Sequence, residues 1–387
     1  MTSWKTYKLG GICDYVTSRT TNIENYISTE NMLPNKGGVC TPSNVPSGAA
    51  VEYKVGDILI SNIRPYFQKI WQANCNGACS ADVLCIRAND KTDSKYLYYL
   101  LSQQRFFDYV MAGAKGCKMP RGDKKQILQW QISLPSLEEQ RRIAGILGAI
   151  DDKIENNRRI NTNLDLQAPA LFEEWISKSK TSKGVFDDII QTTLAGDWGQ
   201  ETTQGNYTHE VFCIRGADIP TLQNGDKGKM PIRYILEKNY KTKQLRANDL
   251  VIEISGGSPT QSTGRICMIT QSLLDRLGKD VVCTNFCRAI TPKNGYAIYI
   301  YLYWQMLYSK NTMFSYENGT TGIKNLNIAD LISKEPIEIP AQEDVEKLNI
   351  VLQPIFDQIY ANGLQNETLA TLRDTLLPKL MNGEIKL

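Results

Sequence analysis

The feature that most constrains this chain is a tandem repeat. Leu134–Gln140 reads LPSLEEQ, and Ile339–Asp344, which begins 205 residues later, reads IPAQED. Each run follows a short strand-like segment and precedes a long helical pattern. Farther upstream, Val55–Ile60 matches Ala247–Ile252. Because matches that recur in the same order indicate a structural unit that occurs more than once, the chain is predicted to contain two similar halves.

An apolar stripe with alternating spacings of four and three residues runs through both long helical patterns. The first copy of the stripe consists of Ile143, Leu147, Ile150, Ile154, Asn157, Asn161, Leu164, Ala168, Leu171 and Trp175. The same spacing, 205 residues later, gives Leu348, Leu352, Ile355, Ile359, Asn362, Asn366, Leu369, Arg373, Leu376 and Leu380. This alternation is the heptad pattern of helices that pack along one another. Both copies place two asparagines near the middle of the stripe.

The two asparagine pairs predict how the helices meet. A buried Asn at such a position costs stability but fixes the register and the partner. Packing of each helix on its own globular part is the alternative, and the length of the stripes and their matching Asn positions argue against it. Antiparallel pairing places the Asn pairs opposite each other, Ile154 opposite Leu369 and Leu147 opposite Leu376. The predicted pairing residues are Leu147, Ile154, Asn157, Asn161, Asn362, Asn366, Leu369 and Leu376.

These patterns predict an α+β fold. Two mixed α/β domains are each followed by a long helix, and the two helices pair as an antiparallel coiled coil with pseudo-two-fold symmetry. The predicted divisions are residues 1–135, 136–180, 181–340 and 341–387, in the order domain, helix, domain, helix. At ~1.5 Å per residue, a helix of about 40 residues spans ~60 Å. We expect such a rod to separate the two domains, which is the geometry that a bipartite DNA site requires.

Motifs for catalysis and cofactor binding are missing from the sequence. There is no GxxxxGK[ST] phosphate loop, no GxGxxG before a helix and no Asn-Pro-Pro-Tyr motif of amino-methyltransferases. His209 is the only histidine, and we expect it on the surface. The ten cysteines include no CxxC pair, so we predict reduced thiols and no metal site. No signal region or run of ~18 apolar residues is found, which predicts a cytoplasmic protein.

Basic loops are the candidate contacts to nucleic acid. The net charge is only +3, so the distribution of charge is more informative than its sum. Gly113–Gly116, which matches Gly319–Gly322, opens a loop with many cations; Lys and Arg in such loops can replace counterions at phosphates. Solvated surface loops are the alternative. The candidates are Arg19, Arg64, Lys69, Lys115, Lys118, Arg121, Lys124, Lys227, Lys229, Lys241, Arg265 and Lys324.

Taken together, the motifs resemble those of the specificity subunits of type I restriction–modification systems. The resemblance is carried by LPSLEEQRRI at Leu134–Ile143 with its long helix, and by the second copy at Ile337–Leu380. Ser18–Thr21 and Ile214–Ile219 are similar to the family's openings of each half. The second copy departs from the pattern, because Gln342–Val345 reads QEDV where the first copy has EEQR.

The resemblance implies a non-catalytic subunit that binds double-stranded DNA. Each domain would be a target-recognition domain for one part of a split, asymmetric site, and the helices would set the spacing. It also implies two methyltransferase subunits as partners, and it allows restriction subunits that translocate DNA. S-adenosylmethionine and ATP are expected on those partners, with no cofactor in this chain.

Three other interpretations remain at this point. The chain could be the specificity subunit of a related bipartite-cutting system whose partner is a fused methyltransferase–nuclease. It could also be an enzyme in its own right, which the missing motifs disfavour and which S-adenosylmethionine binding by the isolated chain would support. A coiled-coil scaffold without DNA binding is the third. Salt-dependent binding to duplex DNA would separate this scaffold from a DNA reader.

Overall fold

The chain has the predicted α+β fold. The structure is a computed structural model that describes residues 4–42, 44–258, 260–319, 324–385 and 387. The described residues form two compact units, one from Met1–Asp152 and Leu369–Leu387, the other from Lys153–Thr368. Each unit therefore contains a part of both long helices.

The first half of the chain contains strands β1 to β9 and helices α1 to α4. The strands are β1 (Lys5–Lys8), β2 (Cys13–Tyr15), β3 (Arg19–Thr20), β4 (Ala50–Tyr53), β5 (Ile58–Ser61), β6 (Ile70–Gln72), β7 (Gly77–Cys79), β8 (Val83–Ala88) and β9 (Gln131–Leu134). The helices are α1 (Ser94–Leu101), α2 (Gln104–Ala112), α3 (Lys124–Ile127) and the long α4 (Leu137–Lys178).

The second half contains strands β10 to β21 and helices α5 to α10. The strands are β10 (Thr181–Gly184), β11 (Ile190–Ala195), β12 (Tyr207–Ile214), β13 (Ile232–Leu236), β14 (Leu250–Glu253), β15 (Ser255–Gly256), β16 (Ile266–Met268), β17 (Val281–Cys283), β18 (Cys287–Pro292), β19 (Glu317–Asn318), β20 (Lys324–Leu326) and β21 (Ile337–Pro340). The helices are α5 (Ile219–Gln223), α6 (Glu237–Lys243), α7 (Gln271–Leu277), α8 (Ala297–Ser309), α9 (Ile328–Lys334) and the long α10 (Gln342–Met381).

The same four-stranded antiparallel sheet occurs in both halves. Its strand order is β2-β8-β5-β6 in the first half and β11-β18-β14-β16 in the second. Strands β5 and β14 are buried at every position, which explains why their sequences read as nearly continuous apolar runs. The first and last strands of each half also pair, β1 with β9 and β10 with β21. Each half therefore begins and ends at one place, directly before its long helix.

A buried aspartate marks the turn before the central strand in both copies. Asp57 Oδ2 accepts a hydrogen bond from the backbone N–H of Lys54 at 2.8 Å, and Asp249 Oδ2 accepts one from Arg246 at 2.7 Å. The remaining contacts differ: Arg87 donates twice to Asp57 at 2.6–2.7 Å, whereas Asp249 receives the hydroxyl of Thr291. Burial raises the pKa of Asp249. The repeat therefore preserves the turn but not its charge balance.

The second sheet of each half is where the two copies diverge. In the first half it has the order β3-β4-β7 with antiparallel pairs. In the second half the order is β13-β12-β17, and β12 runs parallel to β17. A shared core sheet thus carries a different second sheet and different loops in each half.

The long helices pack on each other and also on the globular parts. In the first unit, Leu147 of α4 is fully buried in one core with Leu377 and Leu380 of α10. In the second unit, Phe172 of α4 is fully buried, with its ring centroid 5.5 Å from that of Tyr299 of α8. The predicted pairing of the helices is confirmed, and packing on the globular parts accompanies it.

Phe172→Ala should destabilise the second unit by about 3–5 kcal/mol, because the change leaves a cavity in the apolar core. Leu166→Ala is the matched control, since Leu166 lies on the same helix and is 69 % exposed. We expect the control to change the free energy of unfolding by less than about 0.5 kcal/mol. Urea unfolding followed by tryptophan fluorescence measures both, and equal effects of the two changes would contradict the packing described.

Candidate nucleic-acid interface

Three loops of the first unit are joined by backbone hydrogen bonds into one surface. We call residues 29–38, 62–69 and 113–124 the loop surface. The N–H of Arg64 donates to the carbonyl of Pro120 at 2.8 Å, and the N–H of Lys36 donates to the carbonyl of Gln68 at 3.0 Å. Ile63 forms an isolated bridge with Arg121. The loops are therefore held in place by main-chain contacts, which do not use the side chains of Arg64 and Lys36.

The loop surface stores backbone strain. Asn35, Lys36, Arg64 and Gln68 all have a φ between 50° and 60°. Side chains rarely adopt this left-handed region, and residues held there cost roughly 1–3 kcal/mol each unless the surroundings fix them. Here the backbone bonds between the loops fix them. Such strain is typical of segments shaped for a ligand rather than for stability.

Most of the predicted DNA-binding cations of the first unit lie on this surface. Arg64, Lys118 and Lys124 are exposed, and no described residue pairs with their side chains. Arg19 lies on β3 and donates to the carbonyl of Ala49 at 2.9 Å. Lys69 is less available, because its ammonium donates to the carbonyl of Thr29 at 2.7 Å.

Two further cations of this surface form exposed ion pairs. Lys115 lies 3.1 Å from Asp123, and Arg121 lies 3.2 Å from Asp82. The backbone N–H of Gln126 and the Lys115 ammonium lower the pKa of Asp123. Exposed pairs of this kind contribute only about 0–1 kcal/mol, so phosphate groups can replace their carboxylates at little cost.

The predicted cations of the second unit are mostly paired with acids. Lys227 pairs with Glu367, and Lys241 lies 3.9 Å from Glu237. Lys229 is exposed, and no described residue pairs with its ammonium.

Two other candidates of the second unit are held by largely buried carboxylates. Arg265 donates twice to Glu253, at 2.6 and 2.8 Å, and Glu253 is 4 % exposed. Lys324 lies 3.0 Å from Glu317 and 4.4 Å from the ring centroid of Phe314. This geometry gives Arg265 and Lys324 structural partners. Residues 320–323, which include most of the predicted second glycine loop, lie outside the described residues.

Arg215 is a half-buried cation that the sequence candidates did not include. Its Nε and Nη2 donate to Asp218 at 2.9 and 3.0 Å, and Nη2 also donates to the carbonyl of Lys229 at 3.0 Å. With Lys227, Lys229 and Arg276 it lines a cavity of about 500 Å³. The signal was available, because Arg215 lies in the Ile214–Ile219 motif, but a single Arg in a loop gives no indication of a cavity.

The four predicted asparagines meet inside the second unit. The side-chain amide of Asn157 donates to Asn366 Oδ1 at 2.9 Å, and that of Asn362 donates to Asn161 Oδ1 at 2.8 Å. All four side chains are at least nine-tenths buried. The bonds pair low numbers on α4 with high numbers on α10, so the helices run antiparallel. We call these four residues the asparagine layer.

A loop of the second globular part also contacts the asparagine layer, which the sequence did not indicate. The amide of Asn161 donates to the carbonyls of Ile359 and Asn224, at 3.0 and 3.1 Å. A Cβ at Gly363 would lie 2.0 Å from the carbonyl oxygen of Gly225. Because only glycine permits this approach, the loop before β13 sits directly on α10.

The other predicted pairing residues are buried or partly buried, each in its own unit. Leu147 is fully buried in the core of the first unit, and Leu376 packs against that core. Ile154 is buried in the second unit at 6 % exposure, and Leu369 is partly buried in the first.

The described residues contain no cluster of three or more His, Cys, Asp or Glu placed to hold a metal ion. Across the same residues, no helix is both long and apolar enough to span a membrane. His209 lies between Glu237 and Asp280, with ring nitrogens 2.7 and 2.8 Å from their carboxylates, and stacks on Tyr240. These contacts give it a structural place on the surface of the second unit.

Comparison with known proteins agrees with this architecture. Residues 1–166 match the family model described as the type I restriction modification DNA specificity domain. The specificity subunit of the type I restriction enzyme MjaIX of Methanocaldococcus jannaschii is 27 % identical over 77 % of this chain and 70 % of its own length. That of HindI from Haemophilus influenzae is 24 % identical over the whole of both chains.

The chain is a relative of the type I specificity subunits. The resemblance predicted from the sequence is thereby confirmed. Among solved structures, the type I restriction–modification S subunit from M. genitalium has a TM-score of 0.56 and 16 % identity, covering 98 % of this chain and 96 % of that one. At that identity the likeness shows the fold alone, and it is the fold described above.

Asn161→Leu and Asn362→Leu should each destabilise the protein by roughly 1–3 kcal/mol, because each leaves buried polar groups without a partner. The double variant should lose less than the sum of the single losses, with a coupling of about 0.5–3 kcal/mol. Urea unfolding measures the cycle. Asn163→Leu is the control, because Asn163 is exposed on the same helix. Strict additivity would show that the asparagine layer does not act as a unit.

Proposed function

We propose that the chain is the DNA-reading, non-catalytic subunit of a type I restriction–modification complex. Each half would be a target-recognition domain that reads one part of a split, asymmetric duplex site. The observation that carries this proposal is the repeated core sheet with a different second sheet and different loops in each half. One scaffold with two sets of loops suits the reading of two unlike half-sites.

Duplex DNA is the partner that suits the charges of the loop surface. Arg64, Lys118 and Lys124 are exposed without acidic partners among the described residues, and Lys115 and Arg121 have only weak surface pairs. Lys and Arg at phosphates release condensed counterions, which is the main sequence-independent source of affinity for DNA. Sequence reading then falls to side chains that reach base edges, for which Arg64 on its strained backbone is the best placed.

The long helices are proposed to recruit two methyltransferase subunits. Several large apolar side chains remain exposed on them, among them Ile350 at 75 % and Val351 at 56 % on α10. Exposed apolar groups close together are typical of protein interfaces. S-adenosylmethionine would then be bound by the methyltransferase subunits, and ATP by any restriction subunit, in the cytoplasm. A fused methyltransferase–nuclease would suit the same surface, and the subunit composition of the purified complex separates these cases.

Lys118→Ala should weaken DNA binding at all sequences and reduce the slope of log affinity against log salt by about 1, because one phosphate contact is lost. Fluorescence anisotropy of the complex between 50 and 200 mM salt measures this slope.

Lys178→Ala is the control, since Lys178 is exposed on α4 and paired with Glu174. We expect its salt slope to equal that of the unaltered protein. An unchanged slope for Lys118→Ala would remove the loop surface from the interface.

DNA should also protect Cys117 from alkylation. Cys40 and Cys117 are exposed thiols, whereas burial raises the pKa of Cys13 and Cys213 to about 12 and makes those thiols unreactive. Cys117 lies between Lys115 and Lys118 on the loop surface. Mass spectrometry should show slower modification of Cys117 with duplex DNA and full recovery of the rate in high salt. Equal rates with and without DNA would contradict the proposed interface.

A further inference from the structure

Two adjoining cavities of the second unit lie on either side of one short segment. We call the cavity of about 500 Å³ described above the basic cavity, because its four cations outnumber the three carboxylates that also line it, Asp218, Asp226 and Glu367. The second cavity measures about 460 Å³. Arg215 and Ala217 line both. The segment Arg215–Ala217, part of the motif that opens the second half, therefore separates two sites of different chemistry.

Two cations of the basic cavity, Arg215 and Lys229, have hydrogen-bond donors without an acceptor among the described residues. Asp218 and the carbonyl of Lys229 take the Nε and Nη2 donors of Arg215, and no described residue accepts from Nη1. Lys229 is exposed, and its ammonium has no described partner. A guanidinium that is fixed on one edge and free on the other suits a phosphate, because it meets two oxygens without further ordering.

The second cavity has aromatic walls. Phe286 is 62 % exposed in the turn between β17 and β18, where its carbonyl accepts from the N–H of Ile254 at 2.9 Å. Trp198 is 38 % exposed, and the Arg233 guanidinium covers one of its faces at 4.1 Å from the ring centroid. The buried Arg233 therefore holds the ring of Trp198, and the backbone hydrogen bond fixes the turn from which Phe286 extends. We call this second cavity the aromatic slot.

The floor of the aromatic slot carries no free charge. Glu253 lines it, but Arg265 holds both of its carboxylate oxygens. A Cβ at Gly216 would lie 2.5 Å from Glu253 Oε1, so glycine there keeps the slot open to its floor. Aromatic walls over a neutralised carboxylate suit a flat, uncharged ring system.

We propose that the aromatic slot takes one nucleobase turned out of the duplex, and that the basic cavity holds the adjoining phosphate. A flat neutral ring joined to an anion describes a nucleotide, and Arg215 lies where the two parts would meet. This inference rests on the proposed function and adds to it a means of reading one position by extrusion. Phe286 and Trp198 supply stacking in place of the neighbouring bases.

The test uses the complex with its methyltransferase partner and duplexes that carry the mapped target. An abasic site or mismatch is placed opposite each base of the half-site read by the second domain, one position at a time. The methylated adenine is left out, because methyltransferases turn out their own target base. At one of the remaining positions, the unaltered protein should bind the mismatched duplex roughly tenfold more tightly than the fully paired duplex. The reason is that the extruded base no longer has to be unpaired.

Phe286→Ala should weaken binding to the fully paired target roughly tenfold, because one base–aromatic stack is lost. Ile232→Ala is the control, since Ile232 is 41 % exposed in the same unit and lines neither cavity. If the complex binds its target specifically but Phe286→Ala and Ile232→Ala have the same affinity at every position, the extrusion proposal alone is overturned. If the unaltered complex shows no sequence-specific binding to DNA, the proposed function is overturned as well.

Discussion

The asparagine layer fixes the register of the two long helices, and the rest of the architecture depends on that register. A helix pair held only by leucine and isoleucine can slide by a heptad at little cost, whereas a displaced Asn leaves several buried polar atoms unpaired. The layer also contacts the loop before β13, because Asn161 donates a hydrogen bond to the carbonyl of Asn224. The register of the helices and the position of the loop before β13 are therefore set by the same side chains.

The two globular parts share a core sheet but distribute their charge differently. On the loop surface of the first unit, cations such as Lys118 stand on strained or exposed backbone without acidic partners. In the second unit most cations are paired, and the exposed groups near Arg215 include the aromatic rings of Trp198 and Phe286. This division suggests that the first domain contributes more of the salt-dependent affinity and the second more of the contact with a base.

The sequence predicted those features that depend on local periodicity. The heptad stripe located both long helices, because it reflects spacing along one element, and the repeat indicated two similar halves. It did not predict that Arg265 would be held by Glu253, that Phe286 would stand exposed, or that a loop would sit on Gly363. These contacts and exposures depend on which residues from distant parts of the sequence lie together in the fold, and the spacing of residues along the chain does not predict that.

Methylation mapping tests the central claim most directly. The chain would be expressed with its methyltransferase partner in a host without other modification, and the host DNA sequenced for methylated adenines. A second strain would carry a chain whose residues 1–135 come from a relative. The account predicts a split, asymmetric motif of which only one part changes in the second strain. An unsplit motif, a change in both parts, or no motif from a well-formed complex would contradict it.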